Sequence, residues 1–453
     1  MGAATAIVWF RRDLRLSDLP TLLAAAGRAE RALALFVLDQ RLLEPSGAPR
    51  RTFLYRCLRE LDDALQGRLM IVRGDPVVVL PQVALAVDAR TVHISADYGP
   101  YGGRRDAAVG DALGDVELVA TGSPYAVAPG RVVKANGEAY RVFTPFRRSW
   151  YGHGWHTPAD TSESTVDWIQ PPSELRVPIP EDDDLGETAL PAAGERGARG
   201  RWKTFCDEGV DDYRDTRDRP DVDGTSRMSV HLKFGTVHPR TLLHDLRGRT
   251  GPGVETFRSE LAWREFYADV LYRRPDSARK NYDRRYDTIA HDTGPAAQRD
   301  FAAWCSGRTG FPIVDAGMRQ LLAEGWMHNR LRMIVASFLV KDLHVPWWWG
   351  ARHFMTHLVD GDLASNQHGW QWTAGSGTDA SPYFRVFNPT TQGQKFDPDG
   401  AYVRRWVPEL RDVAGKAVHT VAADSVSGYP PPMVDHKQER LVALQRFGAI
   451  TAE

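Results

Sequence analysis

The chain has 453 residues, roughly three times the ~150 that one domain takes on average, so two or three domains are expected. With 42% hydrophobic and 25% charged residues it is globular in composition, which excludes a largely disordered or fibrous chain. The formal net charge of −1 means that a nucleic-acid partner would have to be held by a local basic face and not by bulk charge.

No run approaches the ~18 uncharged apolar residues of a membrane span. In the N-terminal MGAATAIVWFRRDLRL the arginines follow the apolar run, the reverse of a secretory leader. Cys57, Cys206 and Cys305 are far apart and odd in number, which gives neither a disulfide framework nor a zinc pattern. These features predict a cytoplasmic protein with no membrane partner and no metal. Tryptophan is the unusual residue: of 14, eight lie between residues 304 and 406 (Trp304, Trp326, Trp347, Trp348, Trp349, Trp370, Trp372 and Trp406). An indole N–H needs a partner when buried, so clustering points to a second use, stacking on planar ligands or relaying electrons.

In chain order, AIVWF (6–10), ALALFVL (32–38), RLMIV (68–72), TVHIS (91–95) and VELVA (116–120) read as short buried strands. Helical stretches separate them at about 19–29, 51–66, 76–88 and 103–113, which predicts a five-stranded, parallel, doubly wound α/β domain over 1–130. Ligands of such a sheet bind at the carboxyl ends of its strands, here near RRDLR and SADYG. Residues 131–200 read as an interdomain linker, rich in Pro, Gly, Ser and acidic residues and without periodicity from about 150. From 201 to 453 the period is helical, at 201–214, 238–247, 254–273, 297–306, 312–324, 326–343 and 351–359, so the second domain is expected to be all-α.

In TFRSELAWREFYADVLY (256–272), Glu260, Trp263, Arg264 and Tyr267 share one helix face. Either Glu260 and Arg264 form a surface pair beside core aromatics, or a carboxylate and an indole floor await a planar heterocycle. GWMHNRLRMIVASFLVKD (325–342) groups Asn329, Arg332 and Met333, with Arg330 one position round. A buried arginine there needs a carboxylate, and Asp360 and Asp362 of DGDLASN follow. That segment starts like a calcium loop, but Ala364 and Ser365 stand where a ligand and a glycine are needed, which excludes it. Thr225, Ser226 and Ser229 precede a helical segment, suited to cradling a phosphate or simply to capping. GSGTDA (375–380) follows a helix and not a strand, and there is no Walker loop, His-Glu-x-x-His or Gly-x-Ser-x-Gly.

Together, WFRRDLRLSD, GTSRMS, ELAWREFY, GRTGFPIVDAGMRQL, GWMHNRLRMIVASFLVKDL, HLVDGDLASNQHGWQW and FRVFNPTTQGQKFD resemble the photolyase/cryptochrome family, in its order and spacing, from about residue 5 to 435. The resemblance implies an antenna-binding α/β domain and a helical domain holding FAD. Trp-Met-His-Asn-Arg (326–330) is similar to the class I cyclobutane pyrimidine dimer enzymes; the (6-4) enzymes carry a second histidine where Asn329 stands. It implies light-driven dimer splitting by one electron from reduced FAD to a flipped-out lesion in UV-damaged DNA, by a monomer.

The site residues the resemblance implies are these. Glu260, Trp263, Trp372 and Asn366 would be catalytic. Tyr213, Thr225, Ser226, Arg227, Met228, Ser229, Arg264, Asn329, Arg332, Asp360, Asp362 and Asn366 would bind FAD, with Arg332–Asp360 as an ion pair beside the flavin. The lesion and its DNA would meet Glu260, Trp263, Asn329, Met333, Trp372 and Gln392, with Arg330, Arg385 and Lys395 on phosphates. Arg50, Asp97 and Lys233 resemble the positions holding an 8-hydroxy-deazaflavin antenna; methenyltetrahydrofolate is the alternative. Trp370 and Trp347 match two members of an electron relay whose third falls near Gly294, without an aromatic, leaving Trp348, Trp349 or Tyr286 as substitutes. The rival function is a cryptochrome-type photoreceptor without repair, which need not retain the lesion pocket and often carries a long extension past the region matching 435. A dark flavin oxidoreductase lacks its nicotinamide fingerprint.

Overall fold

The computed structural model describes residues 5–379, 384–422 and 426–451. They form two compact units: one of residues up to Leu185 with Leu190–Val210 and Ser226–Pro275, the other of Gly186–Ala189, Asp211–Thr225 and the chain from Asp276.

The first unit is built on five parallel strands, β1 (Thr5–Phe10), β2 (Arg31–Leu38), β3 (Leu69–Arg73), β4 (Ala89–Ile94) and β5 (Glu117–Ala120), in the order β3-β2-β1-β4-β5. Their nearly continuous apolar runs suit a sheet covered on both faces, and β1 is buried along its whole length. The order reverses between β1 and β4, which makes the carboxyl ends of these two strands the switch point of the sheet. The expected elements of the first 120 residues are all present. Helix starts follow local chemistry: Asp39 and Asp75 each accept a backbone N–H two residues on, from Arg41 at 3.0 Å and Val77 at 3.1 Å.

The stretch 131–200, expected as a linker, is instead structured within the first unit over most of its length. A helix runs over Phe143–His153 with Phe143, Phe146 and Trp150 buried, Trp168 bridges to Ala32 of β2, and Val177 N donates to Ile71 O of β3 at 2.8 Å. Asp182 and Asp183 pair with Arg56, Arg59 and Arg51 of the helix Ala48–Ala64. The helix Pro252–Arg273 also belongs to this unit, so the division expected at 200 is not where the compact units separate. Its buried carboxylates explain why: Glu265 accepts from Ala126 N (2.5 Å), Val127 N (3.0 Å) and Trp150 Nε1 (2.6 Å), and Asp269 accepts from Gly130 N at 2.6 Å.

The second unit is helical. Its core joins the helices Pro312–Glu324, Asn329–Lys341, Trp347–His357 and Leu363–Ala374 around Trp304, Phe338, Trp347, Phe354 and Trp370. Asp315, fully buried, accepts from Thr309 N and Oγ1 (both 2.7 Å), Gly310 N (3.0 Å) and the Tyr429 hydroxyl (2.6 Å), which accounts for the GRTGFPIVD motif as a structural knot. Gly350 is required by close approach: a Cβ there would lie 2.1 Å from the Trp370 ring and 2.6 Å from Leu339. Among the described residues no helix is long and apolar enough to cross a membrane, and no group of three or more His, Cys, Asp or Glu side chains could hold a metal ion.

Candidate active site

In the first unit, the carboxyl end of the sheet carries a dense charge network. Arg11 and Arg105 both pair with Asp106, at 2.7 and 2.8 Å, and flank the Trp9 ring at 4.7 and 5.0 Å. Asp13 accepts from Arg11 N (2.7 Å) and Ser95 Oγ (2.6 Å). Asp97 accepts from Gly99 N at 3.0 Å and faces Arg105 at 3.4 Å. Burial raises the Asp97 carboxyl, but the guanidiniums of Arg12, Arg105 and Arg11 outweigh it and hold the group below its usual range. Arg50 is buried at the start of Ala48–Ala64, donating to Ser46 Oγ at 3.2 Å and Pro45 O at 3.4 Å. Lys233 lies on the helix Ser229–Phe234, whose capping Gly235 (φ +66°) packs on the loop after β1; a Cβ there would meet Arg12 O at 1.9 Å. The structure thus brings the elements bearing Arg50, Asp97 and Lys233 to the carboxyl end of one sheet.

Sequence reasoning missed Asp18, the other hub of the WFRRDLRLSD motif. It is buried, pairs with Arg240, and accepts from Thr241 Oγ1 at 2.7 Å and Ala159 N at 2.8 Å. No spacing rule links residue 18 to partners from 159 and 240.

Also in this unit, Ser226–Ser229 form a tight turn in which Arg227 takes the left-handed region (φ +53°) and Ser226 Oγ accepts from Met228 N at 3.3 Å. Ser229 opens the following short helix and is exposed. Arg264 donates to Pro124 O (3.1 Å) and Leu232 O (3.2 Å) and lies over the Tyr125 ring at 4.6 Å, so its guanidinium is engaged with the scaffold. Trp263 stacks on Phe143 with ring centroids 3.6 Å apart and planes 10° from parallel, and it also meets Tyr267 at 5.4 Å and the edge of Phe266 at 5.7 Å. The indole is therefore held flat while remaining partly exposed, as is Glu260 one turn earlier.

In the second unit, Arg332 pairs with Asp360 at 2.8 Å and donates through Nε to Met327 O at 2.8 Å. Of the two carboxylates that followed it in sequence, Asp360 takes the pair; Asp362 caps the helix Leu363–Ala374 by accepting from Ser365 N at 3.1 Å. Asp360 is 5% exposed, yet its Oδ1 is buried without a hydrogen-bond partner among the described residues. Such an atom costs ~1–3 kcal/mol unless something else supplies a donor, and so fits a bound ligand with N–H or O–H groups. Asn366 is buried on the same helix as Trp370 and Trp372, its Nδ2 donating to Ala351 O at 3.1 Å and Gln367 Oε1 at 2.8 Å. Tyr213 is buried with Arg217 over its ring at 5.9 Å, and Thr225 is half-buried.

Trp372 is oriented by its Nε1 bond to Asp379 O at 3.1 Å and is half-buried. Asn329 is exposed and Met333 half-buried on one helix. Arg330 is not a free cation: it pairs with Asp218 at 2.8 Å, donates to Met333 Sδ at 3.7 Å and lies over Phe396 at 4.4 Å. Lys395 and Arg385 are exposed and Gln392 half-buried, which leaves Lys395 and Arg385 as the accessible cations of the expected set. Lys341 was missed by sequence reasoning. It is buried, donates to Arg385 O at 2.5 Å and lies 4.4 Å from the Phe384 ring, so it anchors the segment bearing Arg385; burial pulls its ammonium down to about 7.

Residues 257–449 match the FAD binding domain of DNA photolyase and residues 6–163 match DNA photolyase. A deoxyribodipyrimidine photo-lyase of Streptomyces griseus is 42% identical, covering 96% of this chain and 98% of its own. Among solved structures, a class III photolyase from Agrobacterium tumefaciens is 36% identical with a TM-score of 0.91, covering 100% of this chain and 99% of its own. An archaeal photolyase from Sulfolobus tokodaii, described with two FAD molecules, is 30% identical with a TM-score of 0.84, covering 98% of this chain and all of its own. The chain belongs to the DNA photolyase family, with that family's parallel-sheet and helical FAD-binding parts.

Proposed function

We propose that this protein is a deoxyribodipyrimidine photo-lyase of class I, which uses light and bound FAD to split cyclobutane pyrimidine dimers in UV-damaged DNA. The observation that carries the reading is the state of five side chains. Glu260, Trp263, Asn329, Met333 and Trp372 are all at least partly solvent-accessible, and the two indoles are nevertheless fixed, by Phe143 and by Asp379 O. Large aromatics left partly open but held in place are poor core and good walls for a planar ligand.

Arg332 and Asp360 would hold the flavin, the unpartnered Asp360 Oδ1 accepting from it, while Asn366 presents an amide to the ring. Tyr213, Thr225, Ser226, Arg227, Met228 and Ser229 would hold its phosphates with backbone N–H and hydroxyl groups. When bound, fully reduced and excited by light, FAD supplies one electron to the dimer and takes it back once the ring has opened. Trp263 and Trp372 would stack on the flipped bases, Glu260 would hydrogen-bond them, Met333 and Asn329 would pack beside them, and Gln392, Lys395, Arg385 and Arg330 would face the DNA backbone. Arg330 must first exchange Asp218 for a phosphate. An 8-hydroxy-deazaflavin antenna at the carboxyl end of the sheet is supported by the placement of Arg50, Asp97 and Lys233. Its absorbance band is expected to vanish in Lys233→Ala.

The test is to illuminate chemically reduced, FAD-loaded protein with dimer-containing DNA, against a dark control. Thymines should be restored only in the light. Flavin bound and reduced without such recovery sinks the proposal and favours a photoreceptor that does not repair.

A further inference from the structure

Arg385, exposed itself, belongs to a short segment that is held on both sides of it. Before it, the Phe384 ring has the Lys341 ammonium 4.4 Å from its centroid, and Lys341 also donates to Arg385 O at 2.5 Å. After it, Phe387 is buried in the helical core with its N–H donating to Ser337 Oγ at 3.3 Å, and the Arg385 guanidinium lies 5.0 Å from the Phe387 ring. Phe384 also closes on the helix that carries Trp372. A Cβ on that helix's capping Gly375 would lie 3.4 Å from Phe384 Cδ2 and 2.8 Å from the Tyr286 hydroxyl.

The Phe384 ring stacks on Phe447 of the last described helix, His436–Thr451, with centroids 4.5 Å apart and planes 8° from parallel. That helix is pinned along its length: His436 meets Asp342 at 2.5 Å, Glu439 meets His344 at 2.8 Å, Ala443 is buried, and Arg446 pairs with Asp292 at 3.0 Å. Phe447 also lies against the buried Tyr286, 6.1 Å between centroids. A fixed helix thus presents one flat ring to the residue that precedes Arg385.

We propose that Phe447 is a positioning residue for DNA binding: stacked on Phe384, it fixes the path of the chain into Arg385 and so holds that guanidinium where a backbone phosphate beside the flipped dimer meets it. The inference rests on the proposed repair function. Phe447 acts through Phe384 and not by touching DNA. An arginine on a loose segment loses conformational freedom each time it grips a phosphate; one whose backbone is already fixed loses less, and the same contact binds more tightly. The stack confers this because two flat rings in contact set each other's plane, whereas an aliphatic side chain fills the space without setting an orientation. A helix that only closed the core would, on substitution, change unfolding and leave DNA affinity alone.

The experiment measures binding of an oligonucleotide with one cyclobutane dimer to chemically reduced, FAD-loaded protein in the dark, across a salt series, and then repair in light at saturating DNA. Phe447→Leu should weaken binding about tenfold, the weight of one charge-assisted contact, and lower the salt slope by about one ion, while FAD retention and repair at saturating DNA match the parent. Phe447→Tyr, which keeps the flat face, should bind like the parent. So should Leu441→Ala on the same helix, where the side chain is 63% exposed. In the Arg385→Ala background, Phe447→Leu should add nothing further. Hydrogen exchange gives a readout that needs no variant. Coupling is reciprocal, so peptides covering 436–451 of the parent protein should exchange more slowly once dimer DNA is bound. Parent-like affinity and salt slope in Phe447→Leu, an equal loss from Phe447→Leu with and without Arg385, or exchange at 436–451 untouched by DNA overturns the proposal. Any of these in a protein that repairs dimers leaves the repair function standing; a parent protein that binds no dimer DNA overturns both.

Discussion

The buried aspartates at the carboxyl end of the sheet and the one beside Arg332 in the helical unit are satisfied to different degrees. At the carboxyl end of the sheet, Asp13, Asp18, Asp97 and Asp106 are matched by Arg11, Arg105, Arg240 and backbone N–H groups. In the helical unit, Asp360 has Arg332 on one oxygen and no partner on the other among the described residues. A satisfied network rigidifies the unit that holds it, whereas an acceptor left open in a dry place persists where a ligand completes it. The carboxylates of the first arrangement are already paired, whereas on the proposed function FAD completes the open oxygen of the second.

Substituting the two aspartates separates these roles most sharply. Asp18→Ala leaves the buried Arg240 guanidinium unpaired and should cost ~3–5 kcal/mol in denaturant unfolding, with the flavin spectrum of the folded fraction unchanged. Asp360→Ala should change the stability of flavin-free protein by less than ~1 kcal/mol, because Arg332 is partly exposed and can turn to water, while abolishing FAD retention on gel filtration. Equal effects of both on flavin would erase the distinction.

Lys341 gives a pH-dependent version. Its pKa falls to about 7 in the folded protein from 10.5, so above pH 7 the unfolded chain binds more protons than the folded one and stability rises with pH. The cost of the buried charge is fully present below about 7 and is relieved between there and 10.5. The stability of the parent protein relative to Lys341→Met should therefore rise on going from pH 6.5 to 9, by up to ~1.4 kcal/mol per pH unit; a flat difference would show the ammonium to be solvated.

Smaller effects belong to the partly exposed side chains. Glu260→Ala should lower repair efficiency about tenfold, the weight of one charge-assisted hydrogen bond of ~1.5 kcal/mol, with FAD still bound; loss of flavin would move Glu260 out of the lesion pocket. Lys395→Ala should weaken DNA binding modestly and reduce the salt slope by about one ion, and an unchanged slope would remove Lys395 from the phosphate contacts.

What the sequence reveals depends on whether a residue's partners are near in the chain. The five strands are legible because each is a continuous apolar run, and Arg332 with a following aspartate is legible because an arginine on an otherwise apolar helix calls for a carboxylate. Glu260 and Glu265 lie five residues apart on one helix, and nothing local says that Glu265 is the buried one, since its donors come from residues 126, 127 and 150. The helix Phe143–His153 is hidden by Pro145 and Gly152 within a polar, proline-rich surrounding. Arg330 reads as a free cation until Asp218, more than a hundred residues earlier, arrives beside it.

The most direct measurement is the number of thymines recovered per flash when reduced, FAD-loaded protein is saturated with an oligonucleotide carrying one cyclobutane dimer. Recovery should follow the flashes, be absent in the dark, and be lost in Asp360→Ala together with the flavin. Reduced flavin that absorbs every flash while the dimer survives would contradict the proposed function.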